Sequence, residues 1–224
     1  MFHYFNASLS HPVDHLAYPV RVAAVASRDL TRTAILGFAM LASATIAYYS
    51  LSYMTTYASQ SLHMRTDVSF AATIFFGLSN VIFAPLGGYL SDRVGRRPVM
   101  VGSRIVFAIV GIPAFMLLVH NRDTTTLLAV AFVLGALSQL ASPQIASLAE
   151  ALPKHLRSAG LSIVYALAIT IFGATTQPVI TGLLHTTGDL LTPAYYLTLG
   201  NIIGIVSMGL MRETAPVARR RSHT

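Results

Sequence analysis

The chain has no cysteine and no tryptophan among its 224 residues, and it is short of charge, with Asp, Glu, Lys and Arg together making up 10%. Without cysteine there is no disulfide framework, no thiolate metal site and no cysteine nucleophile. Without tryptophan, any aromatic belt at a membrane interface falls to the 10 tyrosines. A soluble domain carries about 25% charged residues. This scarcity of charge, with 54% hydrophobic residues and a mean hydropathy of +0.63, therefore marks an integral membrane protein. Enzyme signatures are missing too: no H-E-x-x-H, no G-x-S-x-G and no phosphate-cradling glycine loop is found. The expectation is a non-enzyme with no catalytic residue, no metal and no cofactor.

What is present in quantity is apolar length. A hydrocarbon core about 30 Å thick needs about 20 helical residues. Six runs meet that: Thr33–Leu62, Val68–Leu90, Pro98–Val119 with Arg104 inside it, Thr124–Ala149, Ser158–Leu184 and Leu190–Met211. The predicted fold class is an all-α integral membrane protein, a bundle of six transmembrane helices.

The basic side chains alternate with these runs. Arg21, Arg28, Arg32, Arg93, Arg96, Arg97, Lys154, Arg157, Arg212, Arg219, Arg220 and Arg221 fall on one side, and only Arg65 and Arg122 on the other. By the positive-inside rule the rich side is cytoplasmic, which predicts a multi-pass membrane protein with both termini in the cytosol. Topology thus accounts for the net charge of +7 and the pI near 10.1, and a nucleic-acid partner is not expected. Residues 1–30 lack both an 18-residue apolar run and the basic start of a signal peptide, and are expected to be a cytosolic lead-in. Residues 31–213 form the six-helix unit, and 214–224 a basic cytosolic tail.

Four charges crowd into "GGYLSDRVGRRP" between the second and third spans. The pattern G-x-x-x-D-R-x-G-R-R is filled by Gly88, Asp92, Arg93, Gly95, Arg96 and Arg97. Gly88 is expected to let two helices approach closely, Gly95 to permit a tight turn, and Pro98 to suit the first turn of the next helix. At the cytoplasmic end of the fourth span, "AEALPKHLRSAG" gives E-x-x-P-x-x-x-R-x-x-G with Glu150, Pro153, Arg157 and Gly160. These two patterns resemble the signature loops of the major facilitator superfamily. Further stretches, "AYYSLSYMTTYA", "GLSNVIFAPLGGYLSDRVGRRPV" and "GLSIVYALAITIFGATTQPVITGLLHTTGD", are similar to the carboxyl half of its metabolite:proton symporters, the citrate and tricarballylate carriers especially.

The resemblance runs from about Thr31 to Glu213 and implies helices seven to twelve of a twelve-helix carrier, moving a di- or tricarboxylate such as citrate with protons. It also implies a cytoplasmic ionic latch of Asp92, Arg96 and Glu150, with Arg157 as a fourth candidate, favouring the outward-facing state. A separate amino-terminal half of six helices is then the expected partner, with the bilayer, protons and a small organic anion. A truncated carrier is expected over a stand-alone protein. The alternative is a membrane fragment or scaffold that transports nothing.

Polar groups inside the spans are the candidates for lining a substrate cavity. No acid of the chain lies within a predicted span, so a proton-coupling carboxylate is expected from elsewhere. Tyr48, Tyr49 and Tyr53 sit on the first span, and Tyr49 and Tyr53 share a helix face. Asn80, Gln139, Gln144, Tyr165 and Gln177 lie in or near later spans, and each can bond a carboxylate or a neighbouring helix. Arg104 lies about 10 Å deeper than Arg97. It can meet an anionic substrate or reach back to the cytoplasmic interface, and the second is the expectation.

Overall fold

The computed structural model describes residues 17–214. Residues 1–16 of the expected lead-in and 215–224 of the basic tail lie outside the described residues. Among the described residues, packing divides the chain after Arg32, and the helical bundle is formed by residues from Thr33 onward.

All regular structure among the described residues is helical: α1 Ala17–Ser52, α2 Met54–Thr56, a π-helical turn Tyr57–Ser61, α3 Thr66–Val94, α4 Arg96–Asn121, α5 Thr124–Leu140, α6 Gln144–Ala151, α7 Arg157–Ala168, a second π turn Ile169–Gly173, α8 Ala174–Thr187 and α9 Thr192–Leu210. Taken across the π turns and the break between α5 and α6, these make six membrane-length helical segments. In lipid every backbone group must find its partner within the protein, and long helices meet that demand. The six match the six apolar runs, with ends displaced by a few residues.

The breaks have local causes. Of Pro85, Pro113, Pro143 and Pro178, the first, second and fourth stay inside continuous helices, and only Pro143 stands at a break. Pro143 has no N–H to give the Gln139 carbonyl, which instead accepts from Ser142 N at 2.9 Å. The Ser142 hydroxyl donates to Ala84 O at 2.8 Å, tying the break to α3. Asp123 caps α5 by accepting from Thr126 N at 3.4 Å. Hydrogen bonding by Thr126 holds the Asp123 carboxyl below the ordinary carboxylate range.

Small residues set the closest helix contacts. α3 packs along α5, and α4 on α9 and α5. At Gly87 a Cβ would lie 2.7 Å from the Leu140 carbonyl oxygen, whereas a Cβ at Gly88 would meet nothing within 4 Å. The close approach expected of Gly88 therefore belongs to its neighbour, because one residue turns the helix by about 100° and only Gly87 faces α5. Gly87→Val is expected to lower the thermal midpoint of the purified protein by several degrees, since the obstacle is backbone and cannot swing away, whereas Gly88→Ala leaves it unchanged. Large apolar side chains such as Phe70, Ile74, Val81, Ile109 and Leu199 stand exposed on the outside of the bundle, as a lipid-facing surface requires.

Candidate functional site

Two polar constellations interrupt the apolar bundle. The first is built on the charge cluster. The sequence places it in a loop, but α3 runs on to Val94 and α4 begins at Arg96, so the connection is Gly95 alone. Gly95 adopts φ 128°, ψ 146°, a conformation open to glycine and little else. The turn folds Arg96 back beneath the bundle, where its side chain is 10% exposed.

Arg96 makes a two-pronged pair with Glu150 at the end of α6: Nε donates to Oε2 at 2.8 Å and Nη2 to Oε1 at 2.7 Å. Nη2 also lies 3.3 Å from Asp92 Oδ1, four residues back across the Gly95 turn, and Nη1 donates to Ser91 Oγ at 3.3 Å. Asp92, Arg96 and Glu150 thus meet as the resemblance implies. Arg157 opens α7 instead, with its Nε buried and without a hydrogen-bond partner. Arg93 lies over the Tyr89 ring at 4.4 Å, on an exposed face.

Glu213, just beyond α9, is a member the sequence reading missed. It accepts from the backbone N–H of Arg96 at 3.0 Å and of Arg97 at 2.9 Å. The third residue of α4 is Pro98, which has no N–H, so the carboxylate and the proline together settle the first three amides of the helix. A negative charge there also complements the helix dipole. No local pattern signals this role, because Glu213 lies 116 residues or more from its partners.

The second constellation is an open cleft of about 370 Å³ lined by Tyr48, Tyr49, Arg104, Ser138, Gln139, Gln144 and Tyr165 together with apolar side chains. Its wall includes both sides of the α5–α6 break and Ile169 of the second π turn. Discontinuous helices suit such a place, because irregular backbone at membrane depth is tolerated where it lines a cavity. Tyr48 and Tyr49 stand edge to face with centroids 5.6 Å apart.

Arg104 does not reach back to the interface; it is 1% exposed, among the most buried side chains of the protein. No carboxylate pairs with it among the described residues. Its Nη1 donates to Asn201 Oδ1 at 3.4 Å, and its Nε is buried without a partner. Gln144 Oε1 is likewise buried and unpartnered.

Six sequence candidates therefore converge: Tyr48, Tyr49, Arg104, Gln139, Gln144 and Tyr165. Three go elsewhere. Tyr53 lines a separate cleft with His63 and His185, and its hydroxyl accepts from Thr181 Oγ1 at 2.9 Å. The same Thr181 hydroxyl lies 2.9 Å from the Gln177 backbone carbonyl, and Gln177 is not part of the cleft wall. Asn80 has its Oδ1 buried without a partner, away from the cleft. Ser138 on the cleft wall and Asn201, which bonds Arg104 without lining the cleft, are additions; both are polar residues inside apolar runs, the signal that singled out their neighbours.

A six-span helical protein with a charged hinge between its second and third spans and a polar cleft among its helices has the build of a solute carrier. The family model of the Major Facilitator Superfamily matches residues 33–224, and the chain belongs to that family. It is 30% identical over 189 residues to the citrate-proton symporter of Klebsiella pneumoniae, covering 82% of this chain and 42% of that protein. It is 32% identical over 172 residues to the proline/betaine transporter of Salmonella typhimurium, covering 76% of this chain and 34% of that one. Among solved structures, the human organic anion transporter MFSD10 shares the fold, with a TM-score of 0.55, 18% identity, and coverage of 84% of this chain and 49% of that chain. The chain thus spans less than half the length of these relatives. Family and relatives are multi-pass membrane transporters, not enzymes.

Proposed function

We propose that this chain is the substrate-holding carboxyl half, equivalent to helices seven to twelve, of a proton-coupled secondary carrier for an organic anion, with a di- or tricarboxylate such as citrate as its cargo. The observation that carries the reading is Arg104: a buried guanidinium with no countercharge among the described residues, beside an open polar cleft. A buried charge left without a partner is costly, and an arriving carboxylate supplies the partner. Gln139, Gln144 and the tyrosines stand around it to bond the remaining oxygens. Asp92, Arg96 and Glu150 act as the cytoplasmic latch of the outward-facing state, and Glu213 anchors the helix that carries Arg96.

The second six-helix half, from the same or another polypeptide, closes the open side of the cleft and brings the proton-coupling group, since no acid in this chain sits at mid-span. A second substrate class has a specific observation behind it. Proline and betaine also carry a carboxylate, and Tyr48, Tyr49 and Tyr165 on the cleft wall offer aromatic faces to a quaternary ammonium. A non-transporting membrane scaffold is the rival from another class.

Reconstituted vesicles separate these readings. With both halves present and an inward proton gradient, labelled citrate accumulates; glycine betaine in its place would signal the zwitterion class. The six-helix chain alone accumulates neither, and gradient-dependent uptake by it overturns the two-half assignment. No uptake by the pair of either solute leaves the scaffold reading. Orientation is checked on the naturally cysteine-free chain: single cysteines beside Asp92 and Lys154 are expected to react with an impermeant thiol reagent only from the cytosolic side, and ones beside Asp123 and Asp189 only from outside.

A further inference from the structure

Asn201 occupies an unusual place for an amide inside an apolar helix. It is 1% exposed, it lies on α9, and both of its polar atoms are turned to one residue of α4. Nδ2 donates to the Arg104 backbone carbonyl at 2.7 Å, and Oδ1 accepts from the Arg104 guanidinium at 3.4 Å. The carbonyl can only accept and the guanidinium can only donate, so the network itself fixes which way round the amide stands. One side chain thus grips Arg104 at its root and at its tip.

We infer that Asn201 is the positioning residue that holds the Arg104 guanidinium at the cleft while leaving its charge uncompensated, so that the positive charge is reserved for a carboxylate ligand. The inference rests on the reading of Arg104 as the carboxylate site. The chemistry of the amide is what carries it. An aspartate at this position would pair with the guanidinium and neutralise it, and an apolar residue would leave a flexible four-bond side chain free to choose among rotamers. A neutral acceptor orients without neutralising. The long Nη1 bond fits that role, since a neutral acceptor orients the group without cancelling its charge, and Nε stays without a partner. Asn201 itself does not line the cleft and touches Arg104 rather than a substrate.

The test ranks variants of the full chain, purified into lipid nanodiscs, by equilibrium binding of labelled citrate and, separately, glycine betaine. Asn201→Ala is expected to weaken binding of whichever probe the wild type takes by about tenfold, the scale of one bond to a charged group. Asn201→Asp is expected to weaken it further, although it keeps the size of the side chain and an acceptor for Nη1. A merely structural role gives the opposite order, with Ala the worse of the two, and that result overturns the inference. So does wild-type affinity in both variants. Where Asn201→Ala does not fold, judged by its elution as a single monodisperse species, Asn201→Ser takes its place in the same ranking. If the wild type binds neither probe, the carboxylate reading falls and this inference falls with it; if it binds and the ranking fails, only the inference falls.

Discussion

Arg104→Met is expected to abolish carboxylate binding and, at the same time, to make the protein more stable. Most losses of a functional side chain leave stability alone or lower it; the opposite sign here follows from the surroundings. The guanidinium is 1% exposed, has no carboxylate partner among the described residues, and makes one 3.4 Å side-chain hydrogen bond. Even paired buried charges can be replaced by apolar groups of similar volume with a neutral effect or a gain of up to about 4 kcal/mol, and a charge with no countercharge has less to lose. The Asn201 amide keeps its 2.7 Å bond to the backbone carbonyl of residue 104 and loses only the long one. Binding goes the other way, because a bidentate guanidinium–carboxylate contact supplies two charge-assisted bonds, and their loss costs about a hundredfold or more in affinity. Thermal unfolding in nanodiscs and citrate or glycine betaine binding on the same preparation read both quantities. A variant that binds as well as the wild type removes Arg104 from the site, and one that is much less stable shows the charge to be compensated.

Removing either member of the Arg96–Glu150 pair is the second large effect. The Arg96 side chain is 10% exposed and Glu150 28%, so Glu150→Ala strands a guanidinium that water reaches poorly. A loss of about 3 kcal/mol is expected, the low end of the range for breaking a buried pair, because Glu150 keeps some solvent. The neighbouring carboxylate offers an internal control. Asp92 is 58% exposed and sits 3.3 Å from the same Nη2, so its contribution is expected to be below about 0.5 kcal/mol and to fade at high salt. A double-mutant cycle on Arg96 and Glu150 is expected to return a coupling of about 2 kcal/mol that persists in about 0.5 M salt, and the cycle on Arg96 and Asp92 one near zero. Equal couplings would mean that the cluster is ordinary surface charge. If the pair is the proposed latch, weakening it is expected to shift the population toward the state in which the cytoplasmic side is open, read as increased labelling of a cysteine placed at the cytoplasmic mouth of the cleft.

Much of this was legible along the chain. The six spans follow from apolar runs, and Asp92, Arg96 and Glu150 meet as their motifs imply. Asking which polar residues lie inside apolar helices gave nine cleft candidates, and six of them line the cleft. The same question could not sort them. Tyr49 and Tyr53 share a helix face by spacing, yet α1 ends at Ser52 and a π turn begins at Tyr57, so Tyr49 meets the cleft and Tyr53 a different helix. Gly88 and Gly87 are indistinguishable as letters, and only the direction of α5 decides between them.

By itself the sequence determined the solvent and the topology: apolar length sets how many helices cross, because the hydrocarbon interior rejects charge, and the placement of arginines sets the expected side. Tertiary structure alone decided what each polar group in those helices faces. Arg104 had two open fates, interface or interior, that differ only in the neighbours it meets, and the partners that hold it and Arg96, Asn201 and Glu213, come from the far end of the chain. Distance along the chain carries no information about such contacts, since they are made by helix packing, where rotation about a helix axis of one residue changes every neighbour.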